Sequence, residues 1–195
     1  MKTYLLPALM LLLMIAGCKN PEPRRPVSVR TGSFIKESVE RNKQLLEAEE
    51  ELITSLIEAD SLLKFERSAN GYWYAIETVD TTDQYRPVEE DIVRITYELE
   101  DLEGNPIYTR EETGVIEFKV DKEALFPGIR TGIKLLRQGE TGIFFFPSSL
   151  AYGYHGDENK IGTNVPLKAS VTLLEVVEKY RDTLTPEKVS KQEQQ

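Results

Sequence analysis

One cysteine, Cys18, and one histidine, His155, stand in a chain of 195 residues. With that inventory no intrachain disulfide can form and no Cys/His metal cluster can be assembled. Most nucleophilic triads and dyads are excluded as well, because they need a histidine beside the nucleophile. His155 lies in a polar stretch and reads as a loop histidine, partly solvated, rather than a pH switch. The acidic run Glu49-Glu50-Glu51 reads as solvated charge, not as a metal site. What remains is aromatic: nine tyrosines and seven phenylalanines, many of them in alternating apolar stretches. Such rings build apolar clefts, and a tyrosine adds one hydroxyl donor. The chemistry open to this chain therefore works by shape and hydrogen bonding, with no metal and no cofactor.

The elements that must hold those rings change character along the chain. Leu45, Ala48, Leu52, Leu56, Ala59 and Leu63 recur at three- and four-residue steps, widened by Leu46, Ile53 and Ile57. This predicts an amphipathic helix over 33–64, capped by Ser33 and breaking near Asp60. Its stripe must pack on its own domain or on a second copy of the chain, so dimerisation through this helix is an open expectation. From Asn70 the period becomes two. Val93, Ile95, Tyr97 and Leu99 alternate with Arg94, Thr96, Glu98 and Glu100, the signature of a half-buried strand. Ile116, Phe118 and Val120 repeat it. Further strands are expected at Tyr72–Val79, Thr141–Pro147 and Leu167–Val177, with a turn at Glu103-Gly104-Asn105-Pro106 and one short helix over Ile129–Leu136. Antiparallel strands with one short helix laid across them make an α+β domain, placed at 65–178. The polar tail, 179–195, reads as disordered.

The N-terminus reads as an address. Lys2 precedes an uncharged, mostly apolar run from Tyr4 to Ala16, which is shorter than the roughly 20 residues a membrane-spanning helix needs. Residues 1–17 therefore form a signal peptide. Its end, Ile15-Ala16-Gly17-Cys18, resembles the lipobox of bacterial lipoproteins, which implies lipidation of Cys18 and attachment to a membrane through acyl chains. Lys19 follows Cys18, which favours the outer membrane, facing the periplasm. Residues 18–32, with three prolines and three arginines between Asn20 and Arg30, read as a tether. The formal net charge of −9 and the lack of a basic stripe exclude a nucleic-acid partner.

Two blocks carry a family resemblance. Phe146-Pro147-Ser148-Ser149-Leu150-Ala151-Tyr152-Gly153, followed by Gly156, Ile161, Asn164 and a closing strand through Leu173-Leu174-Glu175-Val176, resembles the C-terminal signature of FKBP-type peptidyl-prolyl isomerases. Leu125-Phe126-Pro127-Gly128, with Gly132 and Leu135 to Gly139, looks like that family's pocket loop and central helix. The whole chain, lipobox included, looks most similar to the gliding-motility-associated isomerase lipoproteins of gliding bacteria. The resemblance implies an FKBP-like antiparallel half-barrel wrapped around one short helix, preceded here by a long N-terminal helix. It also implies isomerisation of Xaa-Pro bonds in proline-containing polypeptides of the envelope.

By the same resemblance Tyr152 supplies the hydroxyl that binds substrate and Tyr97 forms a wall. Tyr108, Leu125, Phe126, Ile129 and Ile161 line the pocket, with the Phe126 N–H on a substrate carbonyl. A further wall position falls on Ile116 or Phe118. The chain departs from the pattern at several places. Ile129 replaces the usual tryptophan floor, Thr109 the usual aspartate, Ala169 a phenylalanine, and Gly162-Thr163 a Pro-Pro pair. A wider, less aromatic pocket leaves two other roles open: a chaperone or binding lipoprotein of the same fold with little turnover, and a structural lipoprotein docking through its helix.

Overall fold

The computed structural model describes residues 31–78, 84–122 and 125–180. The signal peptide, Cys18, the tether up to Arg30 and the tail from Arg181 lie outside the described residues. Among the described residues no helix is long and apolar enough to cross a membrane.

The first element, α1, runs from Thr31 to Ala59. It already contains Ser33, which is therefore not its cap. Asp60 ends it: the carboxylate accepts hydrogen bonds from the N–H groups of Leu62 (2.8 Å) and Leu63 (3.2 Å), turning the chain out of the helix. Leu63 accordingly lies beyond α1. The described residues from Arg41 onward belong to one compact unit, and residues 31–40 to another.

Seven strands follow: β1 (Glu66–Arg67), β2 (Trp73–Thr78), β3 (Ile92–Glu100), β4 (Pro106–Tyr108), β5 (Ile116–Lys119), β6 (Thr141–Phe146) and β7 (Leu167–Glu178). They make one antiparallel sheet in the order β1-β2-β6-β7-β3-β4, with β5 also paired to β3. The long pairing of β3 with β7 carries two register shifts, and that of β2 with β6 carries one. Such irregularities bend strands and raise their twist.

Each strand faces as its sequence dictates. Val93, Ile95, Tyr97 and Leu99 point inward and are buried, while Arg94 on the other face pairs with Glu117 and Glu175, each at 2.9 Å. β6 is different: from Gly142 to Phe146 every residue is buried, because both faces are covered. Across the inner face lies α3 (Pro127–Gly132), continued by a 3₁₀ turn, Ile133–Leu135. It starts two residues earlier than expected because Pro127 fits the first turn, where no N–H is needed. Gly128 and Gly132 allow the close approach: a Cβ would stand 2.5 Å from the Phe146 ring at the first and 3.0 Å from Phe144 at the second.

The outer face of β2 and β6 is covered by α1. Ile53 is fully buried there against Trp73 and Phe145, flanked by Leu56, Ile57, Phe65 and Leu102. The seated face is rotated from the one the leucine spacing suggested: Leu52, Ala48 and Ala59 are exposed, whereas Glu49, read as solvated, is 6% exposed. A short helix absent from the sequence reading, α2 (Arg110–Thr113), is fixed by a capping box: Glu112 N–H donates to the Thr109 side chain and Thr109 N–H to the Glu112 carboxylate.

Candidate active site

The residues singled out by type and resemblance arrive from five places. Tyr97 comes from β3, Tyr108 from the end of β4, and Ile116 and Phe118 from β5. Leu125, Phe126 and Ile129 enter with α3, and Tyr152 and Ile161 sit on the 147–166 loop between β6 and β7. All nine lie within or against one continuous core: Tyr97, Phe118, Phe126, Ile129 and Ile161 are buried, and Tyr108, Ile116, Leu125 and Tyr152 are half-buried against them. Of the two residues competing for one wall position, Phe118 is the more deeply buried, at 2% exposure. Direct contacts are narrower than that shared core. The Phe126 and Tyr152 rings lie 5.1 Å apart and tilted. Tyr97, Tyr108 and Tyr152 are near enough to influence one another's ionisation.

Burial pushes the Tyr152 hydroxyl well above the ordinary tyrosine range, and the neighbouring Tyr97, Asp157 and Tyr108 add to the effect. Burial also raises Tyr97, with a smaller contribution from Tyr108. Both phenols therefore stay protonated at any physiological pH. Among the described residues no protein group is hydrogen-bonded to the Tyr152 hydroxyl, so it offers a free donor in an apolar setting. The Phe126 N–H likewise has no acceptor among the described residues.

A carboxylate that sequence reasoning missed organises the loop. Asp157 Oδ1 accepts from the N–H groups of Ile161 (2.7 Å) and Asn159 (2.9 Å), and its other oxygen accepts the Tyr108 hydroxyl proton. The Asn159 side-chain amide donates to the Tyr108 oxygen at 2.9 Å, and Asp157 N–H reaches the Ile161 carbonyl at 3.0 Å. Burial works against ionisation of Asp157, but the hydrogen bonds from Tyr108, Ile161 and Asn159 outweigh it and hold the carboxyl below its usual range. The same contact raises Tyr108. Asp157 thus ties the Tyr108 wall to the segment that brings Ile161 over the site, where Thr109 provides no such group. Its only sequence signal was a Gly-Asp pair in a turn-rich loop. Gly156 is equally specific: φ is +68°, and a Cβ would meet the Ile161 carbonyl at 2.2 Å.

The departures are also visible. Ile129 (1% exposed) and Ala169 (0%) are buried, so at both positions an aliphatic side chain stands where the resemblance leads one to expect a ring. His155 is exposed, with its ring edge-on to Tyr154 at 5.6 Å. Among the described residues no group of three or more His, Cys, Asp or Glu side chains could hold a metal ion.

Comparison with known proteins places this geometry. Residues 83–174 match the family model described as FKBP-type peptidyl-prolyl cis-trans isomerase. A probable FKBP-type peptidyl-prolyl cis-trans isomerase FkpA of Neisseria meningitidis is 31% identical over 110 residues, covering 56% of this chain and 39% of that protein. The chain thus spans about two-fifths of that relative's length. Among solved structures, FkpA from Escherichia coli aligns with a TM-score of 0.56 at 20% identity, covering 91% of this chain and 83% of that one. A peptidyl-prolyl cis-trans isomerase from Pseudomonas syringae aligns at 0.55 and 20% identity, covering 68% and 93%. At such identities the structural likenesses speak for the fold alone.

Proposed function

We propose that the chain, whose residues 83–174 match the family model of FKBP-type peptidyl-prolyl cis-trans isomerases, catalyses cis/trans isomerisation of Xaa-Pro bonds in polypeptides of the bacterial envelope. Rotation about the amide bond meets a barrier of about 18–20 kcal/mol, set by resonance. In the twisted transition state the imide loses that resonance and becomes less polar. An apolar cleft that binds this form better than the planar one lowers the barrier without acid, base or metal. In this reading Tyr97, Phe118, Phe126 and Ile129 supply the apolar surround, Ile161 closes over the proline ring, and Tyr152 and the Phe126 N–H donate to flanking carbonyls. The observation that carries the reading is the half-buried Tyr152, protonated, tilted against Phe126 and with no hydrogen-bond partner for its hydroxyl among the described residues. A protease-coupled assay on Xaa-Pro peptides tests it. Acceleration by the full chain is expected, and rates equal to the uncatalysed reaction overturn it.

Ile129 and Ala169 favour a second reading, a binding module or chaperone of the same fold that holds proline-containing segments with little turnover. It predicts suppression of client aggregation that survives Tyr152→Phe. Attachment at Cys18 to the outer membrane, the periplasmic orientation and a link to gliding motility rest on the N-terminal pattern and on the whole-chain resemblance. Radiolabelled palmitate incorporation that disappears in Cys18→Ala checks the anchor. Dimerisation through α1 would use its exposed Leu46 and Leu52 (37% and 48%), and sedentation of the purified chain by equilibrium ultracentrifugation checks it.

A further inference from the structure

We infer that Glu49, on a helix outside the matched domain, is a positioning residue for Tyr152; the inference rests on the isomerase reading. Glu49 is the buried carboxylate of α1. Its Oε2 accepts the Ser148 N–H at 2.8 Å, a contact between residues 99 positions apart, and its Oε1 is buried with no partner among the described residues. Ser148 opens the 3₁₀ turn Ser148–Leu150, so its N–H is one that the turn itself cannot satisfy. The Glu49 side-chain oxygen supplies the acceptor that the turn lacks.

Ser148 then passes the constraint on. Its carbonyl accepts from Ala151 N–H at 3.1 Å and from Gly153 N–H at 2.9 Å, the two residues on either side of Tyr152. The chain of contacts runs from Glu49 through the two ends of one peptide residue to the backbone flanking the candidate catalytic hydroxyl. α1 can hold its end of this chain because Ile53, one turn further on, is fully buried on the sheet, and Glu50 pairs with Arg67 at 2.7 Å. A residue serving only to fill the space would be apolar, since a buried carboxylate oxygen without a partner is costly. The helix is therefore part of the active unit, and a shift of α1 along the sheet moves Tyr152.

The experiment compares the full chain with Glu49→Leu, Glu49→Gln, Ser148→Pro and the Glu49→Leu/Ser148→Pro double variant, with folding checked by near-UV circular dichroism. Ser148→Pro removes the donor at a position that accepts proline, the first of a turn preceded by Pro147 at ψ 151°. Glu49→Leu is expected to lower kcat on an Xaa-Pro peptide by about tenfold with KM within about twofold, the size expected of a sub-ångström misplacement. Glu49→Gln, which keeps an acceptor, should restore most of the rate. The double variant should lose no more than the worse single variant. Independently of activity, the Tyr152 amide resonance should move in Glu49→Leu and stay near its original position in Glu49→Gln. Wild-type kcat in folded Glu49→Leu, a change confined to KM, or multiplying losses in the double variant overturns the inference. Absence of activity in the unsubstituted chain overturns the isomerase reading instead, and the amide shift still decides whether Glu49 positions the turn. Should Glu49→Leu fail to fold, Glu49→Ala takes its place.

Discussion

β6 carries phenylalanine on both faces, and the two faces are closed in different ways. Inward, Phe144 and Phe146 stack at 5.5 Å with Tyr72 edge-on to both, in a core fed by β2, β3, β5, β7, α3 and the 147–166 loop. Outward, Phe145 meets Ile53, Trp73 and Phe65, in a small cluster that depends on α1. The inner layer is held by many elements and houses the candidate site. The outer layer is held largely by one helix, whose Glu49 bonds the Ser148 N–H of the 147–166 loop. The contrast teaches that stability and positioning are divided: the inner core holds the candidate site residues, and the outer helix, through Glu49, aims one turn beside them.

Substitutions in the two layers should separate these roles. The largest effect is expected at Phe144→Ala, which opens a cavity beside Gly132 of α3 and should cost about 3–5 kcal/mol in chemical denaturation. Ile53→Ala on the outer face should cost about 2 kcal/mol, at the low end for such a truncation, because half-buried Leu56 and Ile57 can close on the gap. Equal costs would remove the distinction between the layers. Gly156→Ala forces a Cβ against the Ile161 carbonyl at an unfavourable φ, a strain of about 1–3 kcal/mol concentrated in the loop. It should depress peptide turnover far more than it depresses Tm.

Acid gives a subtler separation. The Asp157 carboxyl lies below its ordinary range in the folded chain, so the stabilisation it gives the loop is complete above the unfolded value of about 4 and is lost only as pH falls through the lower folded value. Loop order, read from the Ile161 amide, should stay constant from pH 7 to about 5 and decline below about 4, and Asp157→Asn should remove that acid step. The smallest effect belongs to Arg67→Ala. It removes an ion pair whose arginine is about half exposed together with that guanidinium's stacking over Trp73, two surface contacts, so thermal unfolding should shift by about 1 kcal/mol equivalent.

Much of the inner layer was readable from the sequence, because one-sided burial writes itself as alternation. The β3 residues Val93 to Leu99 and the β5 residues Ile116 and Phe118 face as their spacing requires. The aromatic positions of the site were readable only through resemblance, since a tyrosine in a strand carries no mark of its role. The outer layer was half readable. Period alone announced a helix, but the stripe it gave, with Ile53 only at its margin, ran through Ala48, Leu52 and Ala59, which are exposed, and a run of three acidic residues concealed the one that is buried. Asp91 shows the limit: it is fully buried and accepts from the Tyr85 hydroxyl (2.7 Å), Val88 N–H (2.8 Å) and Tyr180 N–H (2.8 Å). Nothing in one sequence joins position 91 to 180. Thr109 is the opposite case, since Thr-x-x-Glu is a readable capping signal that the strand pattern around it obscured.

The proposed catalysis stands on Tyr152 donating to a carbonyl that flanks the Xaa-Pro bond bound at the candidate site. Exchange spectroscopy between the cis and trans resonances of an Xaa-Pro peptide measures that donation, with the full chain and its Tyr152→Phe variant at equal concentration. The account predicts exchange accelerated by the unsubstituted chain and reduced about tenfold or more by loss of the hydroxyl, with unfolding midpoints within about 1 kcal/mol equivalent. Equal acceleration by both proteins, or none by either, would contradict it.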